Sequence, residues 1–409
     1  MKTRDLDFAG RPRLLMVDRF YYGTGGIGFA PYSDHWRQAR RVCAVHMLSA
    51  RRVASLGRVR AQEAAALAGR VGRAGSGVVN LSDNLVVYFN AVISRCTLGD
   101  ADCRVEGGGA RLRKAFGEME ELLGTVPMGE TVPWLGWVDV VTGLERRVRR
   151  VFEGMDHSSH VSGTAGTRDE SRGVIADHRQ RRRAAAATGD EDEEDFVDVM
   201  LDADELDTDS IKSIILDVLA AATDSTFALL EWAMAELINH PHEMRRLQAE
   251  VRAAVGPGAG AVVTEAHLRR LPYLKAVINE ALRLHPLSPL LLPRETLEDT
   301  RLLGYDVPAG TREFTPERFV GYKYNLGAGQ DFSFLPFGAG RRGCPGVDFA
   351  MLSNELALAS LVHGFDWELP GGRAPPVDMS ELYGLSVCLK APLLLVAKPW
   401  PSVDMEGVE

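Results

Sequence analysis

Cysteine is scarce in this chain of 409 residues, with Cys43, Cys96, Cys103, Cys344 and Cys388 its only five. An odd, irregularly spaced set is not a disulfide framework, which points to a reducing compartment. Zinc spacing is missing as well, because His242-Glu243 has no second histidine one helical turn on. Basic charge is not in excess: 47 Lys and Arg against 56 Asp and Glu give a net charge of -9, which argues against nucleic acid as the main partner. No apolar run approaches the roughly 18 residues that cross a bilayer. The amino terminus, with Arg4, Asp5 and Asp7, does not read as a signal peptide. The chain as given is therefore expected to be soluble and cytoplasmic.

What is present is an ordinary globular balance, 45% hydrophobic and 25% charged, with length enough for a large core. Gly23-Thr24-Gly25-Gly26-Ile27-Gly28 fits a dinucleotide fingerprint only formally, since Pro31 replaces the helix that should follow. It reads as a flexible loop. The most informative stretch is residues 334–346, in which Gly338, Gly340 and Gly343 precede Cys344, and Pro345 and Gly346 close the loop behind the sulfur. Such a loop turns tightly and holds a thiol out on stiff backbone against a flat group. A surface turn with a buried structural cysteine is the alternative.

Phe337, Gly340, Arg342, Cys344 and Gly346 match the Phe-x-x-Gly-x-Arg-x-Cys-x-Gly signature, and here the sequence resembles the cytochrome P-450 haem-thiolate monooxygenases. The resemblance implies haem b as cofactor, with Cys344 as the iron ligand, Phe337 packed beside the sulfur and Arg342 paired with a haem propionate. A thiolate ligand pushes electron density toward the metal and favours O–O cleavage. Trp36 and Arg40, four apart on a helix capped by Ser33 or Asp34, resemble the family's propionate-binding helix, and Arg294 a further propionate contact. The alternative for the first pair is a cation–π contact on the surface.

A long helix from Asp209 to His240-Pro241 is apolar over most of its circumference, yet contains Ala221-Ala222-Thr223-Asp224-Ser225-Thr226. Buried hydroxyls can bond back one turn and bend such a helix. By resemblance, Asp224, Ser225 and Thr226 are instead catalytic, a proton relay that serves dioxygen reduction, beside an oxygen-binding position at Ala222. Two residues depart from the family pattern: Ala222 narrows a place usually held by Gly, and Ser225 replaces Thr, with less rotamer restraint. Glu280 and Arg283, three apart on a helix, resemble the family's core lock, whose third member is Arg318 of Pro316-Glu317-Arg318-Phe319. Residues 347–363 read as a helix and 382–395 as a strand hairpin around Gly384 whose tip could enter the site.

The fold class that follows is mainly α with small β-sheets, a cytochrome P-450 fold in one domain over 1–409, with residues 157–173 and 188–195 as disordered segments. The match is closest to the plant microsomal class and departs from it in three places. The chain begins after the expected membrane anchor and first sheet. A stretch is absent between Gly310-Thr311-Arg312 and Glu313-Phe314-Thr315-Pro316, which threatens the placement of Arg318. A polar run near 158–172 replaces apolar helix. The expectation is a truncated, internally deleted, incomplete fold.

The implied function is insertion of one oxygen atom into an apolar small molecule such as an aromatic oxime, an indole derivative or a terpenoid. The electrons come from NADPH through an NADPH-cytochrome reductase, docked on Arg37 to Arg41 and Arg341. The family implies the cytosolic face of the endoplasmic reticulum membrane. Competing readings are a haem-thiolate isomerase or dehydratase without a redox partner, and an inactive pseudoenzyme. Leu287, Leu290, Leu291, Leu385 and Val387 suggest an apolar cavity.

Overall fold

The computed structural model describes residues 5–20, 26–75, 77–99, 118–119, 121–158, 178, 195–202, 206–256, 262–294, 316–320, 333–384 and 386–400. The junction at 310–315, most of 157–173 and 188–194, and Leu385 lie outside them.

Helices dominate, each started and stopped by recognisable chemistry. Helix α1 (Asp34–Val42) begins where Ser33 Oγ accepts the Trp36 N–H at 3.1 Å, and it runs into a π turn over Cys43–Met47. Helices α2 (Gly57–Gly72) and α3 (Leu81–Leu98) pack on each other, α3 starting from Asn80, whose side chain accepts from Asp83 N–H. Helix α4 (Leu144–Ser158) runs on through His157 and Ser158, so these two belong to it and not to a disordered segment. Asp195 likewise is buried, and it and Asp198 exchange backbone N–H bonds that start a short helix at Phe196–Asp202. The exchange is a cap, and it ends the acidic run of residues 190–195 that the sequence alone presents as disordered. His178 Nδ1 lies 3.1 Å from Asp198 beside it.

The long helix α5 (Thr208–Asn239) starts one residue before the expected Asp209, capped by Asp207 accepting from Ser210 N–H at 2.7 Å, and ends at Pro241 as expected. It is long and apolar enough to cross a bilayer, although no apolar run in the sequence is unbroken over that length. Most of it is buried by α3 and by α7 and α8 below, so it is the core helix of a globular body. Helices α6 (Pro241–Val255), α7 (Pro272–Leu284) and α8 (Val347–Gly364) pack around its carboxyl half.

The strands are short. Strands β1 (Val78–Asn80), β2 (Phe365–Glu368) and β5 (Leu394–Pro399) form an antiparallel sheet in the order β1-β5-β2, with Val78 opposite Val396 and Asp366 opposite Lys398. Strands β3 (Glu381–Tyr383) and β4 (Val387–Leu389) form the expected hairpin, with Tyr383 opposite Val387. The hairpin ends at Leu389, short of Leu395, because residues 394–399 pair with β1 and β2 instead. One contiguous core runs from Met16 to Ala397.

Candidate active site

Backbone geometry fixes the cysteine loop before any side chain is considered. Gly338 and Gly340 have φ of 70° and 66°, where an L side chain is strained, and a Cβ on Gly340 would meet the carboxylate of Asp5. The Cys344 N–H donates to Phe337 O at 2.8 Å and the Gly343 N–H to Gly340 O at 2.9 Å. The Gly346 N–H donates to the sulfur itself. Burial raises the Cys344 thiol, while that N–H and the nearby Arg40 guanidinium pull it back toward the thiolate. Cys344 is nonetheless exposed, unlike the buried Cys43 and Cys96.

Four arginines act on one another here, and Arg40 among them acts on the sulfur. Arg40 donates to Gly343 O; Arg294 donates to Ala339 O at 3.2 Å; Arg342 donates to Ala9 O and Ala30 O at 2.8 and 2.7 Å. Arg11, which sequence reading missed, donates to Gly28 O at 3.0 Å and to Leu292 and Pro293 O. Burial and the repulsion of Arg342 and Arg294 lower Arg11 to about 9; burial, then Arg294 and Arg40, lower Arg342 to about 10. Nε and Nη1 of Arg294 and Nη1 of Arg342 are buried without a hydrogen-bond partner. Clustered guanidiniums with spare donors fit an anion with several oxygens, which is what the two carboxylates of a haem offer. The residues present therefore fit the group.

Trp36 differs from expectation. Its indole N–H donates to Ile27 O at 3.0 Å and not toward the spare donors, because the carbonyl of the folded-back 26–30 segment meets it first. Its ring instead lies under Arg342, 4.1 Å from the guanidinium carbon. The glycine segment is also less free than a flexible loop, since Ile27 and Gly28 donate backbone N–H to Asp217 at 2.6 and 3.1 Å.

On α5 the polar insertion divides between two faces. Ala221, Ala222 and Ser225 are the accessible residues, while Thr223, Asp224 and Thr226 are buried. Ser225 Oγ donates back to Ala221 O at 2.7 Å and Thr226 Oγ1 to Ala222 O, the back-bonding foreseen as the structural alternative. Burial holds the Asp224 carboxyl up to about 6, against a hydrogen bond from Ser386 at the turn of the β3–β4 hairpin. That turn therefore reaches α5, with Trp232 Nε1 donating to Val387 O at 3.0 Å alongside. Thr223 Oγ1 and Asp224 Oδ2 have no hydrogen-bond partner.

The expected lock is assembled. Arg283 donates from Nε and Nη2 to both oxygens of Glu280, at 2.7 and 2.8 Å, and Arg318 Nε lies 3.6 Å from the same carboxylate. The departure before Pro316 does not displace Arg318. Phe319 then packs on Phe334 at the head of the cysteine loop, ring centroids 5.1 Å apart. A cleft of about 750 Å³ between α6 and β2, lined by Met244, Arg245, Trp367 and Arg373, holds none of these residues.

The comparisons agree with this geometry. The family model described as Cytochrome P450 matches residues 1–312 and 312–396, dividing where the sequence departs before Pro316. The chain is 40% identical over 427 residues to (+)-menthofuran synthase of Mentha piperita, covering 98% of this chain and 82% of that protein. It is 39% identical over 431 residues to Cytochrome P450 71A1 of Persea americana, covering 97% and 82%. Among solved structures it is similar to a zebra fish cytochrome P450 bound to abiraterone, with TM-score 0.73 and 22% identity over 97% of this chain and 89% of that one, a likeness of fold.

Proposed function

This chain belongs to the cytochrome P450 family of haem-dependent monooxygenases, and from that premise we propose that it hydroxylates a compact, weakly polar plant metabolite of terpenoid size. A relative named for making (+)-menthofuran supports a small ring substrate over a long or charged one. Leu287 and Val387 join α7 and the hairpin through the Val387 N–H to Leu287 O bond at 2.8 Å, and Leu291 lies 3.8 Å from where a Gly338 side chain would begin. These are aliphatic walls with few hydrogen-bond donors, suited to shape selection. Aromatic oximes and indole derivatives are the other members of the substrate class to be tested.

When bound, the haem supplies activation of dioxygen with electrons from NADPH by way of a reductase. Cys344 presents its sulfur as the ligand atom, held by the Gly346 N–H. Arg11, Arg40, Arg294 and Arg342 would hold the two carboxylates, with the spare donors of Arg294 and Arg342 available to them. Ser225 offers the only hydroxyl on the accessible face of the α5 insertion, so it holds the proton that oxygen reduction requires. Asp224, protonated at mildly acidic pH, passes protons from the Ser386 side of the helix. Thr226 stays in the helix and shapes it. The accessible Ser225 hydroxyl carries the monooxygenase reading, because reduction of dioxygen takes up protons in every turnover.

The same reading places the protein on the cytosolic face of the endoplasmic reticulum. Trp134 and Trp137 are 79% and 61% exposed, with Val140 and Val141 beside them. Indole rings of this kind suit a membrane–water boundary, and Arg146, Arg149 and Arg150 at the start of α4 suit anionic headgroups. The reductase docks on Arg37, Arg41 and Arg341.

The test is reconstitution with reductase in phospholipid vesicles, scored by spectral shift and product. A terpenoid panel should displace the resting Soret band, and product should require both reductase and NADPH. Turnover without either would overturn the reading. Serine at positions 134 and 137 should weaken vesicle binding, and unchanged binding would remove the membrane face.

A further inference from the structure

One carboxylate on α5 has no part in the relay, the ligand loop or the lock, and it sits in an unusual place. Asp217 is buried, seven residues before Asp224, and its Oδ2 accepts the Ile27 and Gly28 N–H groups at 2.6 and 3.1 Å. Burial raises its carboxyl to about 6, and those two N–H bonds pull it down again. The approach is close enough that a Cβ on Gly26 would collide with the carboxylate, and one on Gly28 would lie 3.4 Å from Oδ1. Glycine at 26 therefore suits the approach of Asp217.

The other side of the same short segment is gripped by donors. Ile27 O accepts from Trp36 Nε1 at 3.0 Å, Gly28 O from Arg11 Nε at 3.0 Å, and Ala30 O from Arg342 Nη2 at 2.7 Å. Trp36 in turn underlies the Arg342 guanidinium. An anion thus pins the N–H edge of a strip of backbone whose carbonyl edge orients two guanidiniums of the cofactor cradle. The Gly28 N–H shares one rigid peptide plane with the Ile27 carbonyl, so holding it fixes the acceptor of the Trp36 indole that underlies Arg342, and the Gly28 carbonyl that takes Arg11 follows in the next plane.

We propose that Asp217 is a positioning residue for the haem: by clamping Ile27 and Gly28 to the long helix, it aims Arg11 and Arg342 at the haem carboxylates. The proposal rests on the assignment of those arginines to the carboxylates. It touches no residue of the proton relay, and its effect appears in cofactor retention before any turnover.

The experiment measures haem loss from the loaded full chain into excess apomyoglobin, followed at the Soret band. Asp217→Asn keeps the shape but removes the negative charge on which the two N–H groups converge, so haem should leave on the order of tenfold faster. Gly26→Ala, which pushes the carboxylate away without altering it, should act in the same direction. Leu247→Ala, a core truncation on α6 with a comparable fall in Tm, should leave the rate within about twofold. Arg342→Ala serves as the reference for a lost carboxylate contact and should exceed all of these. If Asp217→Asn and Gly26→Ala match the unmodified protein while Arg342→Ala is fast, the clamp is refuted and the arginine assignment stands. If Arg342→Ala is also unchanged, both fall. If Leu247→Ala loses haem as fast as Asp217→Asn, the effect is general loosening and the clamp is refuted.

Discussion

Glu280 is completely buried, whereas Arg283 is 34% and Arg318 49% exposed, and this asymmetry makes the lock testable. Removing a buried partner from an ion pair costs 3 to 5 kcal/mol, because the other charge stays desolvated. Arg283→Ala leaves the carboxylate in that condition, with Arg318 still 3.6 Å away, so a loss near the lower bound, about 3 kcal/mol, is expected. Glu280→Gln instead leaves two guanidiniums that water can reach, and the amide oxygen still accepts one bond, so about 1 kcal/mol is expected. Combining Arg283→Ala with Glu280→Leu removes the orphaned charge and should recover at least about 1 kcal/mol over Arg283→Ala alone. Urea unfolding followed by far-ultraviolet circular dichroism gives the order of stabilities. The Soret band reports the cysteine loop, which the lock reaches through Phe319 and Phe334. Equal losses in the two single variants, or a double variant worse than Arg283→Ala, would refute the claim that buried charge dominates.

Gly340→Ala places a methyl group at φ 66° against Asp5, and a loss of about 1 to 3 kcal/mol with poorer haem loading is expected in thermal scans. Cys344→Ser should abolish the thiolate-type band of the reduced carbon monoxide adduct while leaving far-ultraviolet dichroism unchanged. Ser225→Ala should lower the yield of product per NADPH by on the order of tenfold and raise peroxide release, and unchanged coupling would remove Ser225 from the relay. Asp224 binds its proton more tightly folded, at about 6, than unfolded, at 3.8, so its contribution to stability is present below the lower value and is lost as pH rises through the upper one. Asp224→Asn should therefore flatten the fall in stability between about pH 4 and pH 6, by about 2 kcal/mol, in urea titrations at the two ends.

The cysteine loop and the lock were legible because their chemistry is local. Gly340, Arg342 and Cys344 stand within five positions, and Glu280 and Arg283 within one helical turn. Ser33 and Pro241 marked helix ends for the same reason, since caps act over three residues. What sequence reading missed depends on contacts across the chain. Arg11 is 281 residues from the carbonyl of Leu292 that it holds, and nothing in its neighbourhood distinguishes it from other arginines. The indole N–H of Trp36 was assigned by family pattern to a propionate, and the carbonyl of Ile27 took it because a segment read as free is clamped. The charge run before Asp195 looked uniformly solvated, yet its last carboxylate found a cap to make.

The carboxylates of α5 show how a long-range design leaves a periodic trace. Asp217, Asp224 and Glu231 are spaced by seven, which is two turns, and all three are buried. Each fastens a different element. Asp217 takes two N–H groups of the 26–28 segment, Asp224 takes Ser386 of the hairpin turn, and Glu231 takes the Ser82 hydroxyl on α3 and the Leu389 N–H at 3.2 Å on β4. Glu236, one turn further, holds His285 at the end of α7 at 2.6 Å. An apolar helix would have packed against these neighbours without fixing where along its length each one sits. Buried acceptors that must be satisfied impose that register, because a slip of one residue leaves a carboxylate unpaired in the core. The cost of desolvating four acids is thus the means by which the helix at the centre of the fold sets the 26–28 segment, the hairpin, α3 and the end of α7 at defined points along its length.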